Sequence, residues 1–183
     1  DTAVCLRGNS ITFSDTFKQI KGTSYNWTFS DGDTSSRNPI TKSFISPGEY
    51  KVTCTITDSF CSDTFYTLVT IHEHPKSIIT NTTEDTQCME NNLFTFEPNS
   101  SKGKAPYTYE WIMDGSINEP PFSYGYPKND TIQLIAKDEN GCLDTAFYPI
   151  SIIPCSLSIT TYNTFTPGLK DGKNDLFDID ITY

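Results

Sequence analysis

The sequence predicts an all-β protein made of two small β-sandwiches in tandem, followed by the first strands of a third β domain. Three observations carry that expectation. Only 4 alanines stand against 26 threonines in 183 residues, and no window sustains a 3.6-residue apolar period, so strand is favoured over helix throughout. Apolar and polar residues alternate from Tyr25 to Phe29 and again from Tyr50 to Thr57, the mark of a strand with one face turned to a core. The same landmarks then return: 84 residues separate Trp27 from Trp111, 83 separate Cys5 from Cys88 and 81 separate Cys61 from Cys142. A period of that size is a whole small domain, too long for a solenoid unit.

In chain order, a short strand over Asn9 to Phe13 is expected to turn Ile11 and Phe13 inward. Tyr25, Trp27 and Phe29 share one face of the next strand, with Asn26, Thr28 and Ser30 on the other. Asp31, Gly32 and Asp33 make a turn, Pro39 to Phe44 fits an edge strand that tolerates its proline, and Pro47-Gly48 turns again. Tyr50, Val52, Cys54 and Ile56 point inward along the clearest period-2 run, and a last strand covers about Thr64 to Ile71. The scheme repeats with Leu93, Phe94 and Phe96, then Tyr107, Tyr109 and Trp111, then Ile132, Leu134 and Ala136, and finally Ala146 to Ile153. HEHPK, residues 72–76, reads as the linker. Pro154 ends the second unit, which places the domains at 1–74, 75–153 and 154–183.

Modules of this size bury little apolar surface and gain much from covalent staples, and six cysteines point to an oxidising, extracellular setting. No stretch reaches the roughly 20 apolar residues that cross a bilayer, and the N-terminus lacks the pattern of a signal peptide, as expected for a mature fragment. A net charge of -10 without Lys/Arg clusters argues against a nucleic-acid partner. Two histidines and no nucleophile, zinc or phosphate-loop motif leave no enzyme to expect.

Near-equal spacings of 56 and 54 residues favour disulfides Cys5–Cys61 and Cys88–Cys142, each closing a loop worth about 4 kcal/mol in the chain-entropy model. Cys54 reads as a core thiol, and Cys155 has no assigned partner. His72 and His74 have the spacing of a metal pair but lack a third ligand, so a solvated linker is favoured. Asp31 with Asp33, and Asp171 with Asn174, Asp175 and Asp178, are oxygen clusters of the kind calcium takes. Against this stands ordinary turn chemistry, in which carboxylates accept backbone N–H bonds. Tyr107, Phe122, Tyr124 and Tyr126 offer a stacking platform for a sugar or peptide, unless the loop folds them onto its own module.

Two resemblances add to this. YNWTFSDGD followed by SPGEYKVTCTITD resembles the polycystic-kidney-disease (PKD) type of Ig-like repeat through Trp27, Phe29, Asp31, Gly32, Pro47, Gly48, Tyr50, Val52 and Asp58, with Ser30 in place of a glycine. The second unit is more divergent, keeping Trp111 and Asp138. The fold implied is a pair of Ig-like (PKD-like) sandwiches. The tail, YNTFTPGLKDGKNDLFDIDI, is similar to the opening of the gliding-motility-associated C-terminal sorting domain at Asn163, Phe165, Thr166, Pro167, Asp171, Gly172, Asn174, Asp175 and Phe177. Gly168, Leu169 and Lys170 depart from that pattern by one inserted residue. This resemblance implies export by type IX secretion to a bacterial outer surface, with the exporter and outer-membrane attachment components as partners. It also gives Asp130-Thr131-Ile132 and Asp144-Thr145-Ala146 the form of bacterial O-glycosylation sites. Alternative readings are an adhesin or carbohydrate-binding module, and an accessory region of a larger secreted enzyme.

Overall fold

The computed structural model describes residues 2–15, 22–155, 158–161 and 179–182. Every regular element among them is a strand, as the β-branched and aromatic composition dictates. The first module is built from β1 (Thr2–Cys5), β2 (Ile11–Phe13), β3 (Ser24–Phe29), β4 (Thr34–Ser35), β5 (Ile40–Lys42), β6 (Gly48–Thr57) and β7 (Ser62–His72). Five of these form one sheet in the order β1-β7-β6-β3-β4, and β2 pairs with β5 in the facing sheet. Tyr25, Trp27 and Phe29 alternate with exposed neighbours along β3 and meet Val52, Cys54, Val69, Phe13 and Phe44 in the core. Phe13 packs edge-on against Phe29, the offset arrangement that aromatic quadrupoles favour.

The second module repeats this plan with β8 (Lys76–Asn81), β9 (Thr86–Cys88), β10 (Phe96–Ser101), β11 (Thr108–Met113), β12 (Ser116–Asn118), β13 (Lys128–Lys137) and β14 (Leu143–Ile153). Its large sheet runs β12-β11-β13-β14-β9, and β8 pairs with β10 opposite. Phe94, Phe96, Trp111, Ile132, Leu134, Ile150 and Ile152 fill its core. Beyond it, β15 (Ser158–Thr161) and β16 (Ile179–Thr182) pair antiparallel. The chain is therefore all-β, a tandem of Ig-like sandwiches.

Several elements went unforeseen, among them the short β4 and β12 and the longer β8. β8 starts inside the stretch read as a linker, because Pro75 and the short, half-polar run KSIITN carry little periodicity.

In both modules the first strand of the large sheet is parallel to the last: Thr2 to Cys5 lie opposite Val69 to His72, and Thr86 to Cys88 opposite Ser151 to Ile153. This register corrects the disulfide expectation. Cys5 sits beside His72, at one end of β7, whereas Cys61 sits just before its other end. Eleven residues at about 3.3 Å each put roughly 35 Å between those levels, far beyond the roughly 7 Å Cα limit for a disulfide. The bonds are Cys5–Cys142, with Cα atoms 5.6 Å apart, and Cys88–Cys155, at 5.2 Å. Cys61 is exposed and unbonded, and Cys54 is buried and unbonded.

Candidate functional site

The corrected pairing puts a disulfide at the junction between the modules, beside several hydrogen bonds and ion pairs. Cys5, at the end of β1, is joined to Cys142 in the turn before β14, so the bond runs from one module to the other. Asp138 shapes that turn. Its Oδ1 accepts the Cys142 N–H at 2.8 Å, and its Oδ2 accepts the Lys104 N–H at 3.0 Å. The carboxylate is almost fully buried, which backbone donors of this kind make tolerable.

His74 bridges the same gap. Its Nε2 accepts the Arg7 N–H at 2.8 Å, so the ring proton lies on Nδ1, which donates to the Leu143 carbonyl at 2.8 Å. Both nitrogens are thus engaged, and the metal pair considered for His72 and His74 does not form. Among the described residues no cluster of three or more His, Cys, Asp and Glu side chains is placed to hold a metal.

Asp144 adds one link across the gap and one within its own module. It accepts the Ser77 N–H at 2.8 Å and lies 3.6 Å from the Arg7 guanidinium. Lys102 pairs with Glu73 of the linker at 2.7 Å. Gly103 presses directly on that linker. A Cβ there would stand 2.9 Å from the Pro75 nitrogen and 2.7 Å from Asp138 Oδ2, and the φ of +60° already suits glycine.

The other expected site residues fall elsewhere. Asp31 and Asp33 hold no open cation site, because the Lys42 ammonium sits between them, 2.8 Å from Asp31 and 2.5 Å from Asp33. The same ammonium lies 5.1 Å above the Phe29 ring. Burial alone would raise the Asp31 carboxyl, but the Lys42 and backbone hydrogen bonds outweigh it and leave the pKa lowered. Burial alone would likewise depress Lys42, yet its two carboxylate partners leave it raised. The second module repeats the device, with Asp114 bonded to Lys128 at 2.7 Å.

The aromatic platform is also corrected. Phe122 and Tyr124 are core residues, 2% and 7% exposed. The cause is local pairing: Phe122 exchanges backbone bonds with Phe94, and Asn92 clamps the Tyr124 backbone on both sides. Burial, then the hydrogen bond to Asp130, push the Tyr124 hydroxyl far above its ordinary pKa. Tyr107 bonds the Lys102 carbonyl, and Tyr126 is exposed beside Asp114. The four do not form one surface. The tail residues Asn163, Phe165, Thr166, Pro167, Asp171, Gly172, Asn174, Asp175 and Phe177 lie outside the described residues.

Sequence reasoning missed Arg7, Gly103, Leu143 and Asp144. Leu143 and Asp144 had one signal, the repeated word CSDT and CLDT, which marks equivalent turns without saying what each turn meets, and Arg7 and Gly103 had none.

Comparison with known proteins gives three findings. No curated protein matches the chain. Solved structures similar to it include extracellular domains 3-5 of Drosophila OTK, at 9% identity and TM-score 0.42, covering 85% of this chain and 59% of that one. They also include the N-terminal four Ig domains of Dscam1 isoform 1.9, at 12% identity and TM-score 0.32, covering 83% and 43%. A third is SGBP-B of the Bacteroides ovatus mixed-linkage glucan utilization locus, in complex with a mixed-linkage heptasaccharide, at 11% identity and TM-score 0.34, covering 85% and 43%. This chain thus spans less than half the length of the Dscam1 and SGBP-B chains. The family model for the PKD domain matches residues 2–69, which contain the first module from β1 into β7.

Proposed function

We propose that this chain is a non-catalytic pair of spacer or presentation modules from a secreted surface protein. On the same reading, its tail directs type IX secretion and attachment to the outside of a bacterial cell. One observation carries the spacer role: the junction is tied by a disulfide, the His74 bridge and the Asp144 and Lys102 contacts. Flexible linkers carry few such ties, and a joint that excludes relative motion suits modules that hold something at a fixed distance. Support for the sorting role comes from the tail motif, Asn163 to Phe177, together with a disulfide-bonded PKD-like module ahead of it.

The test compares cells with and without a working type IX exporter. Expected is surface delivery of the native protein only where the exporter works, and loss of delivery when residue 155 onward is removed together with whatever completes that domain. Secretion that is indifferent to both changes overturns the sorting role and leaves the spacer role standing. The glycan-binding alternative is weakened, since Phe122 and Tyr124, two of the four aromatics that favoured it, are folded into the core, while Tyr126 stays exposed.

A further inference from the structure

The facing sheets of the two modules are completed differently. In the first, β5 pairs β2 over three residues, from Ile11 opposite Lys42 to Phe13 opposite Ile40. In the second, the chain that follows β12 meets the approach to β10 at a single bridge, Phe94 with Phe122. The cause is written in the sequence. Continued antiparallel, that bridge would set Pro120 opposite Phe96, and Pro120 and Pro121 have no N–H to give. The pairing stops there, and a cleft of about 550 Å³ opens between β10 and β11.

Its lining joins rings to carboxylates. Buried Phe96 and Trp111 and half-buried Pro98 and Tyr109 supply the apolar surface. Glu97 and Glu119, both exposed, supply two acids. Neither makes an ion pair among the described residues, whereas Asp114, Asp130 and Glu139 of the same module each hold a lysine. No Lys, Arg or His stands in the lining.

The strand edge inside the cleft is open as well. On one side of it the Thr82 N–H donates to the Thr95 carbonyl at 3.1 Å; on the other, Phe94 and Phe122 exchange backbone bonds at 2.8 and 2.9 Å. Thr82 opposite Thr95 continues the register of β8 on β10 without a break. By the strand's period of two, the N–H and C=O of Phe96 therefore point the same way as those of Phe94, into the cleft.

We propose that this cleft binds an extended, arginine-bearing segment of a partner protein. The guanidinium lies on the Tyr109 ring and is held by Glu97 and Glu119, while the segment's backbone takes the Phe96 N–H and C=O that Pro120 leaves unmet. Charge decides the class of partner. Two uncompensated carboxylates, in a chain of net charge -10, attract a cation and repel an acidic segment. A planar guanidinium meets carboxylates through paired donors and an aromatic ring through its face, which an ammonium does less well. Main-chain bonds at a free strand edge add affinity that a small cation lacks.

The two tryptophans give the test an internal control, since Trp111 lines the cleft and Trp27 lies in the other module. The full chain, isotopically labelled, is titrated with the peptide acetyl-Thr-Val-Arg-Val-Thr-amide while NMR follows both indole N–H signals. Expected is a saturable shift of Trp111 with Trp27 unmoved. Citrulline in place of the peptide's arginine keeps the shape and removes the charge, and should weaken binding about 10-fold. Changing Glu97→Gln and Glu119→Gln together should weaken the arginine peptide by about the same factor, and both residues are exposed, so the core is untouched. N-methylation along the peptide should cost affinity at every second residue. No saturable shift of Trp111, equal binding of the citrulline peptide, or an indifferent double variant overturns the proposal. Equal affinity for N-ethylguanidinium alone gives the cleft to a small cation and overturns the partner assignment.

Discussion

The large sheets of the first and second modules repeat one strand order, but the facing sheets differ, β2 pairing with β5 in the first and β10 with β8 in the second. In the second, β8 lies on β10 beside β14; in the first, among the described residues, no strand pairs with β2 on the side away from β5. The repeated positions differ too. Leu134 is fully buried where Cys54 lines a groove beside Trp27, and Ala136 is fully buried where Ile56 is only half covered. In the second module that edge strand, β8, is drawn from the chain just after the stretch that joins the modules.

Substitutions at matched positions sharpen this contrast. Leu134→Ala should cost about 4 kcal/mol in urea unfolding, while Cys54→Ala should cost only about 1, since less packing is lost beside that groove. Equal losses would mean that the groove is filled in solution. Changing Cys5 and Cys142 together to Ser should lower stability by about 3 kcal/mol. It should also let the modules tumble separately in NMR relaxation; a single shared correlation time would show that the polar contacts lock the joint unaided.

Gly103→Ala should cost about 2 kcal/mol, from positive φ plus contact with Pro75. Gly22→Ala, also at positive φ but with nothing nearer than 3.7 Å, should cost about 1. The smallest effect concerns the twin Asp-Lys turns. Both Asp31 and Asp114 are held below the usual carboxylate value, so their contribution is present above about pH 3.8 and is lost as pH falls through their lowered pKa values. Asp31→Asn should remove about 0.5 kcal/mol at pH 6 and flatten the acid limb of the stability curve. An unchanged acid limb would mean that Lys42 leaves Asp31 in solution.

Most of the strand plan was legible because alternation exposes it. Tyr25, Trp27, Phe29, Val52, Ile132 and Leu134 announce their faces by a period of two, and the core follows. Partners across space were not legible. Equal spacing said that Cys5 and Cys88 are equivalent, and likewise Cys61 and Cys142, but a parallel first strand places each at the far end of β7 or β14, and only register reveals that. Phe122 and Tyr124 misled for a related reason. A proline-rich stretch looks like an exposed loop, whereas the Phe94 bridge and the Asn92 clamp fold it inward through contacts more than 25 residues away. His74 gave no sign of its role, since a bridging imidazole needs two partners that the sequence scatters 67 and 69 positions off.

The Cys5–Cys142 bond has a mechanical consequence. It spans 137 residues, so tension applied at the chain's beginning passes through sulfur to Cys142 and out along β14, which Cys88–Cys155 ties at its end. The bodies of both modules hang off the load path. Pulled while oxidised, the chain is nearly inextensible. Reduced, it pays out on the order of 400 to 500 Å of slack as the sandwiches unravel. Its full reach under shear is thereby set by the redox state of both disulfides.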